Sequence, residues 1–182
     1  MRVWTAAVVG VAAVVAAAVA VPGTATAAGC PRGWGSLPDA GSGDAAGTLR
    51  DVRAGGHACY DRVVLDVAGR AAGGYDVRYV GAVRRDGSGQ VVPLRGAADL
   101  QVVVRAPSYD PVTGRQVYRP ARPSELVATS GLRTLRQVAD AGSFEGQTTL
   151  GVGLRARLPY RVTVLQGPGS GSRLVVDVAH TW

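Results

Sequence analysis

The sequence predicts an all-β fold, a two-sheet antiparallel β-sandwich with one long irregular loop around residues 106–130. Three observations carry this reading. Short Val/Leu/Tyr segments recur from Thr48 onward. Clusters of Gly, Pro or Asp divide them, at Gly55-Gly56, Gly73-Gly74, Asp86-Gly87-Ser88-Gly89 and Gly167-Pro168-Gly169. Several segments alternate with period two, as in Tyr75-Asp76-Val77-Arg78-Tyr79, which sets an apolar face against a charged one.

The chain opens differently. Met1-Arg2 is a short positive stretch, Val3 to Val21 an apolar run broken only by Thr5 and Gly10, and Pro22-Gly23 a breaker. Small residues follow, and Ala25-x-Ala27 suits the shallow pockets of a signal peptidase, so residues 1–27 read as a signal peptide cleaved before Ala28. The run is also about long enough to span a bilayer uncleaved, but its Ala content and the adjacent cleavage site favour removal. Ala27-Ala28-Gly29-Cys30 resembles a lipobox with Ala where Leu is usual, which leaves lipidation of Cys30 as an alternative. The expected location is therefore secreted, associated with the cell wall, and off the membrane after cleavage unless Cys30 is lipidated.

The chain has no Lys, Asn or Ile and one Phe, with cations supplied by Arg. A GC-rich coding bias accounts for that, so the Arg usage does not signal nucleic-acid binding. Loss of Arg2 leaves a net charge of about +6, a balance that favours anionic partners outside the cell such as wall polymers. Cys30 and Cys59 are the only cysteines. An even count in an oxidising compartment favours a disulfide, in competition with lipidation of Cys30.

Residues 28–47 are rich in Gly, Ser, Ala and Pro and carry Trp34, a composition that predicts a flexible segment docking at one point before a domain over 48–182. Strands are expected at Leu49 to Arg53, Asp61 to Val67, Tyr75 to Val83, Leu100 to Arg105, Thr148 to Arg155, Tyr160 to Leu165 and Arg173 to Val178. Leu132, Leu135 and Val138/Ala139 have helical spacing up to Gly142, but a strand is the favoured reading there. Arg62 to Gly69 resembles Arg173 to His180, each with an Arg at the strand entry and an Asp amid apolar residues. That similarity suggests equivalent strands in facing sheets, with Arg62 and Arg173 as partners for Asp66 and Asp177.

Residues 106–130 interleave Tyr109, Tyr118, Arg115, Arg119 and Arg122 with four prolines. Tyrosines could stack on sugar rings while arginines hold phosphate or carboxylate groups. Arg115, Tyr118, Arg119 and Arg122 are thus the candidate ligand contacts, with Tyr75, Arg78 and Tyr79 as a second strip.

Catalytic groups are scarce. There is no Gly-x-Ser-x-Gly, the imidazoles are His57 and His180, and the glutamates are Glu125 and Glu145. A hydrolase using His57 with Asp61 is a third-rank reading. Glu145 in Ser143-Phe-Glu-Gly146 sits at an expected hairpin, and Asp86-Gly-Ser-Gly89 reads as turn chemistry rather than a phosphate cradle. No metal and no cofactor are expected, since two Cys and two distant His show no ligand spacing.

Cys30-x-x-x-Trp34-Gly-Ser36, His57-x-Cys59-Tyr-Asp-Arg-Val-Val64 and Gly74-Tyr-Asp-Val-Arg-Tyr-Val80 come in order. They precede Asp86-Gly-Ser-Gly89, Gly142-Ser-Phe-Glu-Gly146 with Gly151-Val-Gly-Leu154, Pro159-Tyr-Arg-Val162 and Arg173-Leu-Val-Val-Asp-Val178. Together these resemble the AMIN-like domain of exported actinobacterial proteins. The resemblance implies a two-sheet sandwich, a Cys30–Cys59 pair as in a subgroup of such proteins, and distant kinship with AMIN modules that recruit enzymes and transporters to peptidoglycan. The expected function is a non-catalytic module binding peptidoglycan or an attached anionic polymer. The alternative is a secreted protein-interaction or inhibitor module.

Overall fold

A computed structural model describes residues 29–30, 32–43, 47–69 and 74–182. The expected signal peptide over 1–27 and its cleavage site before Ala28 lie outside the described residues. Among the described residues nine strands form: β1 Asp39–Gly41, β2 Leu49–Gly56, β3 Tyr60–Val67, β4 Tyr75–Val80, β5 Ala98–Val104, β6 Leu135–Phe144, β7 Gln147–Leu154, β8 Tyr160–Gln166 and β9 Ser172–Ala179. They make two antiparallel sheets, one ordered β1-β4-β5-β7-β6 and the other β2-β3-β9-β8. The fold is an all-β sandwich, as its alternating segments predict.

Alternation builds the core. On β3, Asp61, Val63, Leu65 and Val67 face inward, while Arg62, Val64 and Asp66 face out. Leu100, Val102 and Val104 of β5 do the same from the opposite sheet, and Leu174, Val176 and Val178 of β9 complete the interior. Burying each such side chain stabilises the fold by roughly 1.5–3 kcal/mol. β7 differs, being buried on both faces. Its outer face carries Gly151 and Gly153, and the segment before β5, with Leu94 and Arg95, lies directly on them. A Cβ at Gly153 would sit 2.1 Å from the Arg95 carbonyl oxygen, and one at Gly151 would sit 2.9 Å from Leu94. Val83, Val92, Ala139 and Ala141 fill a second small apolar cluster.

The segment with helical spacing is β6. Register shifts between Leu135 and Gln137 and between Asp140 and Ser143 break its period of two, which is how a strand came to resemble a helix on paper. Its hairpin to β7 turns on Glu145 and Gly146, with φ of 49° and 80°. Two positive φ values in a two-residue loop mark a type I′ turn, where Asn-Gly is preferred. Glu145→Asn should therefore raise stability by about 0.5–1 kcal/mol, read as a Tm about 1–4 °C higher. An unchanged or lower Tm would count against this turn.

The similarity between Arg62 to Gly69 and Arg173 to His180 has a different origin from facing sheets. β3 and β9 are neighbours in one sheet, paired antiparallel so that Arg62 stands opposite Asp177 and Asp66 opposite Arg173. Two like sequences paired this way set each Arg against the other's Asp. Only one pair closes as expected. Arg62 donates to both Asp177 carboxylate oxygens, at 2.6 and 3.0 Å, whereas Asp66 is taken by Arg53 of β2, at 2.6 and 3.0 Å. The buried Arg173 Nε has no hydrogen-bond partner among the described residues.

Part of the segment before β2 is more closely attached than its composition suggests. β1 pairs with β4, Gly35 bridges to Tyr160, and Arg157 donates to the Ser36 carbonyl at 2.9 Å. The Tyr160 hydroxyl lies 2.5 Å from the Leu37 carbonyl oxygen and 2.7 Å from that of Val77. The 106–130 loop is irregular, yet it too is anchored. The Leu126 N–H donates to Val138 O and the Asp140 N–H to Pro123 O, so its second half runs along the β6 edge.

Candidate functional site

At one end of the four-stranded sheet, β3 begins, β9 ends and β8 begins. Asp177 of β9 lies between Arg62 of β3 and Arg161 of β8 in a single cross-strand row. Arg161 Nη2 donates to Asp177 Oδ2 at 2.7 Å. Burial pushes the Asp177 carboxyl up, but the two guanidiniums outweigh it and hold the group below the usual carboxylate range. Aromatic rings cover this row. Arg62 lies over Tyr60 at 5.3 Å and Arg161 over Trp34 at 4.6 Å. Trp34 meets Tyr60 at 5.5 Å, and His57 stacks on Tyr60 at 4.5 Å.

A cleft of about 580 Å³ opens beside these rings, lined by Cys30, Arg32, Trp34, Cys59, Thr181 and Trp182 among others. Cys30 and Cys59 are joined in a disulfide, which ties the N-terminal segment to the entry of β3. Trp182 is 76% exposed, and its indole N–H donates to the Arg157 carbonyl at 3.1 Å. Arg32 is exposed, and no hydrogen bond or ion pair engages its guanidinium among the described residues. Two indoles and a free cation at an open cleft can hold a flat ring bearing negative charge. Sequence reasoning placed no site here. The available signal was the chain's scarce tryptophan, found at Trp34 and Trp182 where no strand needs it.

The opposite surface of β3 carries the second polar cluster. Asp61 does not pair with His57, as the hydrolase reading required. His180 Nε2 lies 3.0 Å from Asp61 Oδ1, and Asp61 Oδ2 accepts the N–H groups of Thr134 at 2.5 Å and Leu135 at 3.0 Å. Both side chains are buried, at 1% and 6% exposure. A carboxylate–imidazole–nucleophile relay needs a hydroxyl on the second ring nitrogen. His180 Nδ1 is buried and has no hydrogen-bond partner among the described residues. The relay ends there, and the cluster's work is to hold β3 of one sheet against the start of β6 in the other.

A family model for the AMIN-like domain matches residues 47–180. The chain belongs to the AMIN-like domain family. No curated protein and no solved structure gives a significant match. The AMIN-like span contains Asp61, His180, the Arg62–Asp177–Arg161 row and the 106–130 loop. It excludes Cys30, Arg32, Trp34, Thr181 and Trp182. The cleft is thus made where residues outside the AMIN-like span pack against it.

Within the AMIN-like domain the two sets of sequence-predicted contacts are disposed differently. Arg115, Arg119 and Arg122 are exposed on the loop. Tyr118 between them packs against the core, and burial, with the charges of Asp51 and Asp140 adding, pushes its hydroxyl up to about 12. Tyr109 likewise turns to the sheet, where its hydroxyl accepts the Gly146 N–H at 3.1 Å. Tyr75, Arg78 and Tyr79 do not share one surface. Tyr75 and Tyr79 flank Val77 against the core, with Tyr79 donating to Leu158 O at 2.7 Å, while Arg78 faces out in an ion pair with Asp76.

Proposed function

We propose that this AMIN-like chain is a non-catalytic exported module that binds cell-envelope material, either peptidoglycan or an anionic polymer attached to it. One observation carries the reading. Arg115, Arg119 and Arg122 stand exposed on a loop anchored to the sandwich, and among the described residues none of the three forms a side-chain hydrogen bond or a close ion pair. Nearby acids are few: Arg115 helps hold the Asp110 carboxyl down, and Arg122 helps lower Glu125, whose own partner is Arg95. Guanidiniums presented on an ordered support bind phosphate or carboxylate groups with less ordering cost than those on a free tether. Membership of the AMIN-like family and the disulfide support an extracytoplasmic setting.

The test is co-sedimentation with purified walls at low salt, using the wild type and a triple variant with Arg115→Gln, Arg119→Gln and Arg122→Gln. Three exposed contacts of about 0.5 kcal/mol each should weaken binding roughly tenfold when removed together. A triple variant that binds walls as well as the wild type would show that the loop is not the contact.

A further inference from the structure

We infer that the cleft lined by Arg32, Trp34 and Trp182 is a binding site for an acidic sugar. The inference rests on the proposed function only for the compartment in which the ligand is met; the site itself is argued from its own geometry. Its volume, about 580 Å³, lies within the range of about 300–1,000 Å³ typical of small-ligand sites.

Both indoles are held before any ligand arrives. Trp34 lies against the Arg161 guanidinium and beside Tyr60. Trp182 is fixed through its N–H to Arg157 O. Arg157 is itself held, by Ser36 at 2.9 and 3.2 Å and by the Tyr79 ring at 4.9 Å. The Cys30–Cys59 bond ties together two more of the lining residues. Rings held in this way lose little freedom on binding, so more of the contact energy appears as affinity. The electron-rich face of an indole attracts the polarised C–H groups on the flat side of a pyranose.

Two further features choose between ligands. The cleft is open to solvent, which leaves the edge of a bound ring in water and suits a hydroxyl-bearing ring better than a wholly apolar one. No Asp or Glu side chain is among its described lining residues, and the Arg32 side chain supplies a cation that no described residue engages. The ring should therefore carry a carboxylate or phosphate.

The test titrates the exported, disulfide-bonded protein with the acidic disaccharide N-acetylglucosaminyl-N-acetylmuramic acid and with its neutral counterpart, chitobiose. The readouts are tryptophan fluorescence and the indole N–H resonances. The acidic disaccharide should shift the signals of both Trp34 and Trp182. Trp182→Ala and Arg32→Gln should each weaken binding about tenfold, a change of ~1.4 kcal/mol, and chitobiose should bind about tenfold more weakly than the acidic disaccharide. Trp34→Ala is informative if it folds; the other two alter exposed side chains and decide the matter without it. Absence of any indole shift at millimolar acidic disaccharide, or undiminished binding by Trp182→Ala, overturns the site. Equal binding of chitobiose overturns the anion assignment. If the wild type sediments with walls but shows no disaccharide binding, the cleft inference alone fails. If it does not sediment at all, the envelope-binding reading fails on its own account.

Discussion

Replacing Asp61 with Ala should cost the fold about 3–5 kcal/mol, the largest effect expected of any single polar substitution here. The side chain is 1% exposed and serves three partners, the N–H groups of Thr134 and Leu135 and the His180 ring. Removing it leaves two backbone donors and an imidazole without their acceptor in a buried interface between the sheets. The pH dependence carries the same signature. Burial raises the Asp61 carboxyl, but the N–H bonds from Leu135 and Thr134 and the His180 contact outweigh it, and the folded group titrates below its ordinary value. Asp177 is depressed in the same direction, against its own burial, by Arg62 and Arg161. A carboxyl with a lower pKa folded than unfolded contributes stability above the unfolded value, about 3.9, and loses it as pH falls through the folded one. Urea midpoints measured from pH 7 down to pH 2 should therefore drop below about pH 4 in the wild type, and Asp61→Asn should flatten part of that drop. A wild type equally stable at pH 2 and pH 7 is incompatible with this assignment.

Replacing both cysteines by Ser should cost about 3–4 kcal/mol. The bridge joins residues 29 apart in sequence, and a loop of that size carries roughly this much closure entropy in the unfolded chain. The consequence is local as well as global. Cys30 lies four residues before Trp34, so without the bridge the segment carrying Arg32 and Trp34 loses its one covalent tie and relies on the Trp34 ring contacts and the Gly35, Ser36, Leu37 and β1 attachments. Chemical denaturation with and without reductant reads the first effect, and the Trp34 indole resonance reads the second. Identical midpoints in oxidised and reduced protein would remove the bridge from the account.

Seven of the nine strands stand where alternating Val and Leu segments announce them, because a half-buried strand writes its period of two directly into the chain. The exceptions have specific causes. β6 hides its period behind two register shifts. β1 is three residues, Asp39-Ala40-Gly41, and attaches through backbone pairing and the Tyr75 hydroxyl on Asp39, so it has no apolar signature to read. The similar stretches around Asp66 and Asp177 look the same whether their strands face or adjoin, and only the register of β3 on β9 decides. Asp61 meets His180 across 119 residues of sequence, which no local pattern records, whereas the nearer His57 turns to stack on Tyr60. The loop arginines were legible as surface charge. The tryptophan cleft was not, since its walls come from opposite ends of the described chain.

Co-sedimentation of the disulfide-bonded protein with purified walls, followed as salt rises, tests the account most directly. Recognition by exposed arginines should give clear binding at low ionic strength that declines steadily toward 1 M salt, where the screening length falls to about 3 Å. Protein that stays in the supernatant at every salt concentration would contradict the claim that this sandwich is built to hold the cell envelope.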